Sequence, residues 1–157
     1  MNRSCVAVLD NIRSMHNVGS MFRTADGAGI SKLFLCGITP GPLDRWGNEN
    51  AKFLKVSLGS EKSVAWERME STMETLVRLK KDGHTILALE IHEKAVSVFE
   101  YEVSTEKYAV VLGGEVSGLS PEILEMADAI LEIPMRGEKE SLNVSVAFGV
   151  AIFSLTQ

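Results

Sequence analysis

A chain of 157 residues is the size of one globular domain, which at this length buries about 70% of the surface its unfolded form exposes. Hydrophobic residues make up 45% and charged residues 24%, an ordinary globular balance, and no apolar run reaches the roughly 20 residues that a membrane span requires. The net charge of −5 speaks at first sight against a nucleic-acid partner, but residues 1–57 carry seven Lys/Arg against four acids (+3), and the other 100 carry nine against seventeen (−8). Binding of a polyanion follows the local field, so the N-terminal part retains that capacity.

In chain order, the opening MNRSCVAVLD has too short an apolar stretch, interrupted by Asp10, for a secretory signal. SCVAVLDNI (4–12) reads as a β-strand. A helix is expected from Asn17, as its N-cap, to Gly29, with Val18, Met21, Phe22 and Ala25 on one side. SKLFLCGI (31–38) is a second strand, followed by one long loop, GITPGPLDRWGNENA (37–51), of a length that often carries function. A helix is expected over Ala65–Lys81, where Trp66, Met69, Met73, Leu76 and Val77 recur at helical spacing. Strands follow at HTILALEI (84–91) and YAVVLGGE (108–115). SPEILEMA opens a helix with Ser120 as N-cap and Pro121 in the first turn. AILEIPM (129–135) is the last expected strand, and a final helix runs from about Asn143 to Leu155. Strands alternating with helices predict a parallel α/β sheet covered on both faces.

Cys5 and Cys36 each fall inside an apolar strand and read as small reduced core residues. With three scattered histidines and no clustered ligands, no metal site is expected, and a cytoplasmic location follows. No linker, repeat or low-complexity tract divides the chain, so 1–157 reads as a single domain.

Ligands of a parallel α/β sheet collect beyond the carboxyl ends of its strands, and three segments in that position are overbuilt for simple connection. The first is DNIRSMHNVGSMFRTADGAG, with Asn17 and Arg23. The second is LGGEVSGLSPEIL, where Gly113 and Gly114 allow close backbone approach and Gly118 allows a positive φ. Its glycine spacing does not fit a dinucleotide fingerprint, and Glu115 stands where a nucleophile elbow before Ser117 would need glycine. The third is IPMRGEKESLNVSVAFGVAIF, in which Ser141 or Asn143 can cap the last helix; capping accounts for one polar residue and leaves the rest of the loop unexplained.

Together these segments resemble the SpoU (TrmH) family of RNA ribose 2′-O-methyltransferases, within the SPOUT superfamily. The resemblance rests on the N-x5-R pair Asn17 and Arg23, on LGGEVSGL at 112–119, on IPMRGEKESLNVSVA at 133–147, and on the GITP segment Gly37 to Pro40. It covers nearly the whole chain in order and spacing. The resemblance implies a parallel sheet whose C-terminal segment threads a loop into a deep trefoil knot, an exception to the rule of unthreaded connections. It implies S-adenosylmethionine as the methyl donor, with Gly113, Ile133 and Leu142 supplying mainly backbone contacts to it. It further implies a homodimer, and a catalytic set of Asn17, Arg23, Glu115, Ser141 and Asn143.

A ribose hydroxyl is a weak nucleophile, so its proton must be drawn off or its developing charge stabilised. A guanidinium stays protonated in proteins, which favours Arg23 as an orienting and charge-stabilising group rather than a base. Glu115 is expected to steady Arg23 through a charge-assisted pair. His16 is a lesser candidate base, and Trp46 with Arg45 could stack on RNA or anchor their loop. The first strand begins at about Ser4 and no appended RNA-binding domain is expected, so target choice would rest on this domain, its dimer or a partner; tRNA is preferred over rRNA. Two other classes stay open: a knotted RNA-binding or assembly protein without turnover, and an α/β enzyme of different chemistry, for which neither a phosphate loop nor a nucleophile triad is present.

Overall fold

The computed structural model describes residues 2–157. Its strands are β1 (Ser4–Asp10), β2 (Lys32–Cys36), β3 (Ala65–Met69), β4 (Thr85–Leu89), β5 (Val96–Ser97), β6 (Lys107–Gly113) and β7 (Ala129–Glu132). Its helices are α1 (Met15–Ala28), α2 (Ala51–Ser57), α3 (Ser60–Ser63), α4 (Thr72–Lys81), α5 (Pro121–Met126) and α6 (Val144–Leu155). The strands make one parallel sheet in the order β3-β2-β1-β6-β4-β7-β5.

The central strands are apolar without interruption because both their faces are covered. On β1, Cys5, Ala7 and Leu9 join Val18, Phe22, Phe148 and Ile152 of α1 and α6 in one core, while Val6 and Val8 face Leu76, Leu79 and Ile123 of α4 and α5 in another. The period of two along a strand divides the core into these two halves. Tyr108, buried on β6, donates its hydroxyl to the Leu155 carbonyl at 3.0 Å and so ties α6 beneath the sheet.

Several expectations need correction. The span Ala65–Lys81 is not one helix: its first five residues form the edge strand β3, paired to β2, and α4 begins only at Thr72, capped by Ser71, whose hydroxyl accepts the Glu74 N–H. Strand formation there is fixed by pairing to Leu33–Cys36 and by Glu67, which accepts from Lys32 Nζ at 2.6 Å and from Arg78 Nη1 at 3.1 Å. Those two cations, Arg78 foremost, hold the Glu67 carboxyl below the usual carboxylate range. Trp66 accordingly lies on a strand, half-buried against the α1/α6 core. Helix α1 starts two residues before Asn17 and is capped by Ser14, so Asn17 is its third residue, and His16 stands on the helix rather than in a loop. The short elements α2, α3 and β5 had no counterpart in the sequence reading.

Candidate active site

The carboxyl ends of β6, β4 and β7 and the start of α6 enclose a cleft of about 670 Å³. Its floor at β6 is the loop Gly113–Leu119, and the sequence dictates its tightness. A Cβ on Gly113 would stand 2.8 Å from the Gly118 carbonyl, and one on Gly114 would stand 2.8 Å from the Asn11 carbonyl oxygen. Gly118 has φ +59° and closes the loop by donating its N–H to the Gly114 carbonyl at 3.0 Å. Only glycine tolerates such approaches at no cost, and the result is a wall of bare main chain.

The opposite wall is the segment from Ile133 to Val144. Ile133 and Leu142, half-buried, line the cleft, as do Gly113 and the exposed Ser141. All three residues expected to hold the cofactor thus face the same cavity.

Asn143, and not Ser141, caps α6: its Oδ1 accepts the Ser145 N–H at 3.0 Å and the Ser145 hydroxyl at 2.6 Å. This fixes the orientation of the amide, whose Nδ2 then donates to Asn17 Oδ1 at 3.3 Å and to Glu115 Oε1 at 3.3 Å. Two donors and two acceptors are the full capacity of a carboxamide, and all are used. Glu115 Oε1 also accepts the Val144 N–H at 3.4 Å, which puts a carboxylate at the positive N-terminal end of α6. One residue of each of the three motifs therefore meets at a single point.

Arg23 is not part of that junction. It is exposed, it does not line the cleft, and among the described residues it makes no ion pair with Glu115, contrary to the expected pairing; Glu115 is engaged by Asn143 and the α6 backbone instead. Arg23 lies one helical turn before Gly27, and a Cβ on Gly27 would be 3.5 Å from the Phe153 ring. Side chains four apart stack on one helix face, so Arg23 stands beside the outer side of α6, where Val146 and Phe153 are 50% and 47% exposed.

Sequence reasoning missed Glu90. It follows β4, lines the cleft, and accepts the Leu119 N–H at 2.9 Å and the Ile91 N–H at 3.0 Å, clamping the end of the glycine loop. An acid directly after a fully apolar parallel strand was the available signal. With Glu115, Glu132 and Glu140 it makes four carboxylates in the cleft lining, which holds no Lys or Arg. Such a cavity favours a cationic occupant and repels phosphates.

This glycine-walled, acid-lined cleft, with its three-motif junction, has counterparts of known sequence. Residues 4–153 match the family described as SpoU rRNA Methylase. The chain belongs to this family.

Members of the SpoU family are S-adenosylmethionine-dependent RNA 2′-O-methyltransferases. The tRNA (guanosine(18)-2′-O)-methyltransferase of Aquifex aeolicus is 31% identical over 152 residues, covering 96% of this chain and 68% of its own. The AdoMet-bound rRNA methyltransferase from Sinorhizobium meliloti superimposes with a TM-score of 0.86 at 26% identity, over 98% of this chain but 56% of that one. A protein from structural work on the 2-OH methylation of C/U34 on tRNA superimposes with a TM-score of 0.80 at 28% identity, over 96% of this chain and 93% of that one. The chain therefore spans little more than half of the rRNA enzyme and nearly all of this last protein. None of its helices, among the described residues, is long and apolar enough to cross a membrane.

Proposed function

We propose that this chain transfers a methyl group from S-adenosylmethionine to a ribose 2′-hydroxyl of a structured RNA, with tRNA preferred over rRNA. The observation that carries the reading is the Asn143 junction, which draws Asn17 and Glu115 together at the rim of a cleft lined by Gly113, Ile133 and Leu142.

The residues present fit the donor. When bound, S-adenosylmethionine supplies an electrophilic methyl on a positively charged sulfonium. Gly113, on the wall where no Cβ intrudes, and Ile133 and Leu142, on the opposite wall, would hold it chiefly through main-chain groups, and the four carboxylates of the lining favour its cationic charge. Asn17, Ser141 and Asn143 would position the ribose. Arg23 would grip the adjacent phosphate and stabilise the developing charge on the 2′-oxygen. Glu115 holds Asn143 and the start of α6 in place rather than steadying Arg23.

The chain would act as a homodimer. Helix α6 is apolar nearly throughout, its outer side leaves Val146 and Phe153 half exposed, and Arg23 stands beside that side. Pairing of two copies through α6 would bury these side chains and bring Arg23 toward the partner's cleft, which accounts for its distance from the cleft of its own chain. We further propose that the segment between β7 and α6 is threaded as the trefoil knot of the superfamily, that residues 1–157 work as one catalytic domain, and that the protein acts in the cytoplasm, where its two buried, unpaired cysteines stay reduced.

Preference for tRNA is supported by two of the relatives: the Aquifex aeolicus enzyme is named for a tRNA guanosine, and the protein that this chain covers to 93% comes from work on tRNA. The test is to incubate the purified protein and tritiated S-adenosylmethionine with tRNA and rRNA from cells lacking the gene, and to map the labelled nucleotide. Label at a ribose 2′-oxygen of tRNA is the expected result. Label in rRNA alone overturns the preference, and no label in either, with no S-adenosylmethionine bound in calorimetry, favours a non-catalytic RNA-binding or assembly protein.

A further inference from the structure

We infer that Trp46, braced by Arg45, is a stacking platform for an unpaired base of the RNA; this rests on the methyltransferase reading and assigns a binding site to the long loop that the reading leaves unused. An isolated exposed apolar residue needs no explanation. Four observations set this one apart.

The first is its presentation. Trp46 is 70% exposed, and the Arg45 guanidinium carbon lies 4.2 Å from its ring centroid. A guanidinium over an indole is attracted by the ring's negative face, orients the ring and leaves its other face free.

The second is rigidity. Asp44 Oδ1 accepts the N–H groups of Trp46 and Asn48, each at 2.9 Å, and an antiparallel bridge joins Leu43 to Glu49. The Asn50 N–H reaches the Pro42 carbonyl at 2.8 Å. Below this neck, the buried Thr39 accepts the Ile12 N–H at 3.1 Å, and Arg68 Nη1 donates to the Thr39 carbonyl at 2.8 Å. The tip is therefore held before any ligand arrives, and little ordering entropy is lost on contact.

The third is position. The loop leaves the carboxyl end of β2, and β1 alone separates β2 from β6, whose carboxyl end carries the glycine loop. Two strand spacings put these exits about 10 Å apart, on the same edge of the sheet. A nucleotide next to the one whose ribose sits at the rim of the cleft falls within reach of the tip.

The fourth is charge. The acid-lined cleft repels phosphates, so the RNA backbone must be held outside it. Arg45 and, immediately after the loop, Lys52 and Lys55 of α2 supply cations there, while the Asp44 carboxylate is engaged in the loop's own hydrogen bonds and Glu49 lies on the returning leg. An aromatic face flanked by cations suits an unstacked base and its phosphate better than it suits a protein surface.

The test compares Trp46→Ala, Trp46→Leu and Trp46→Phe in the full chain, with tRNA and rRNA from cells lacking the gene as probes. Filter binding should show affinity for the bound RNA falling about ten-fold in Trp46→Ala and Trp46→Leu and largely preserved in Trp46→Phe. S-adenosylmethionine affinity by calorimetry should stay within experimental error of the parent. In a Trp66→Phe background, RNA should quench the remaining indole emission. Unchanged RNA binding by Trp46→Ala, or Trp46→Leu binding as well as Trp46→Phe, overturns the platform. Loss of self-association by Trp46→Ala in sedimentation without RNA also overturns it, assigning the residue to a contact between copies. Methyl transfer that persists undiminished in Trp46→Ala removes this inference and leaves the enzyme standing; Trp46-dependent RNA binding by a protein that never transfers a methyl does the reverse.

Discussion

Asn17 and Asn143, 126 residues apart in the chain, are joined by a side-chain hydrogen bond of 3.3 Å. The same Asn143 amide reaches Glu115, so the first, second and third motifs share one fully satisfied carboxamide. Truncation of Asn143 to Ala removes the cap of α6 and strands two buried or half-engaged partners. Stability should fall by about 1–2 kcal/mol, read from denaturant midpoints at constant slope. Methyl transfer should drop by about two orders of magnitude through misplacement of the reacting groups.

Arg23→Ala should abolish transfer while S-adenosylmethionine binding, followed by calorimetry, stays near the parent value. The position of Arg23 beside α6 adds a sharper expectation. If it serves the partner's cleft, mixing Arg23→Ala with Gly113→Ala subunits, at S-adenosylmethionine too dilute to load the Gly113→Ala cleft, should restore about a quarter of parental activity, because half the reassorted dimers carry one intact site. Two inactive variants that stay inactive when mixed would return Arg23 to its own chain's cleft.

Gly113→Ala is itself informative. Its Cβ would sit 2.8 Å from main-chain atoms of Gly118, which have no rotamer to adjust. The loop must move, and donor affinity should weaken by about ten-fold or more, a cost of at least 1.4 kcal/mol. Thermal stability should change far less, since of the loop only Leu119, at its far end, belongs to either core.

The acidic lining predicts discrimination by charge. Glu132→Gln should weaken binding of cationic S-adenosylmethionine more than that of uncharged-sulfur S-adenosylhomocysteine, and added salt should narrow the same difference in the parent. Equal losses for both molecules would show that Glu132 acts through packing alone.

Burial of Cys5 at the foot of β1 pushes its thiol from the ordinary 9.0 up to about 12, and burial likewise raises Tyr108 and Cys36. Between the unfolded and folded values the native state binds more protons than the unfolded one, so stability is full below about pH 9 and declines as pH rises toward 12. Melting temperatures measured from pH 8 to 11 should fall monotonically at the upper end. A thiol reagent at pH 8 should modify neither cysteine in the native protein and both after unfolding.

Much of the architecture was legible because the central strands are buried on both sides: runs such as CVAVL and YAVVL cannot sit on a surface, and the structure places them at the middle of the sheet. The cap Ser120 was legible because its side chain acts locally, and the cap of α6 was narrowed to Ser141 or Asn143, of which the structure selects Asn143. The edge strand β3 was not. With Ala65 and Arg68 exposed and Trp66 and Met69 half-buried on opposite faces, its apolar residues fall three apart and imitate a helix; only pairing to β2 decides the matter. Helices α2 and α3 are too short for a period to emerge, and Phe53 and Ser57 are the only buried residues of α2. At the site, the motif residues were found, but not their geometry. Ser14 outcompetes Asn17 as a cap because it precedes the helix, which frees Asn17 to turn inward toward Asn143. Glu90 gave no motif, since it acts through a main-chain N–H 29 residues away.

Helix α6 is fastened to the central strand β6 through Tyr108 and carries the Asn143 junction at its other end, so one element ties the middle of the sheet to the rim of the cleft. If the cleft holds the methyl donor, a chain without α6 keeps its sheet and its glycine loop but loses the Val144 and Ala147 side of the cleft and the anchored Asn143 junction, and with them the capacity to modify RNA.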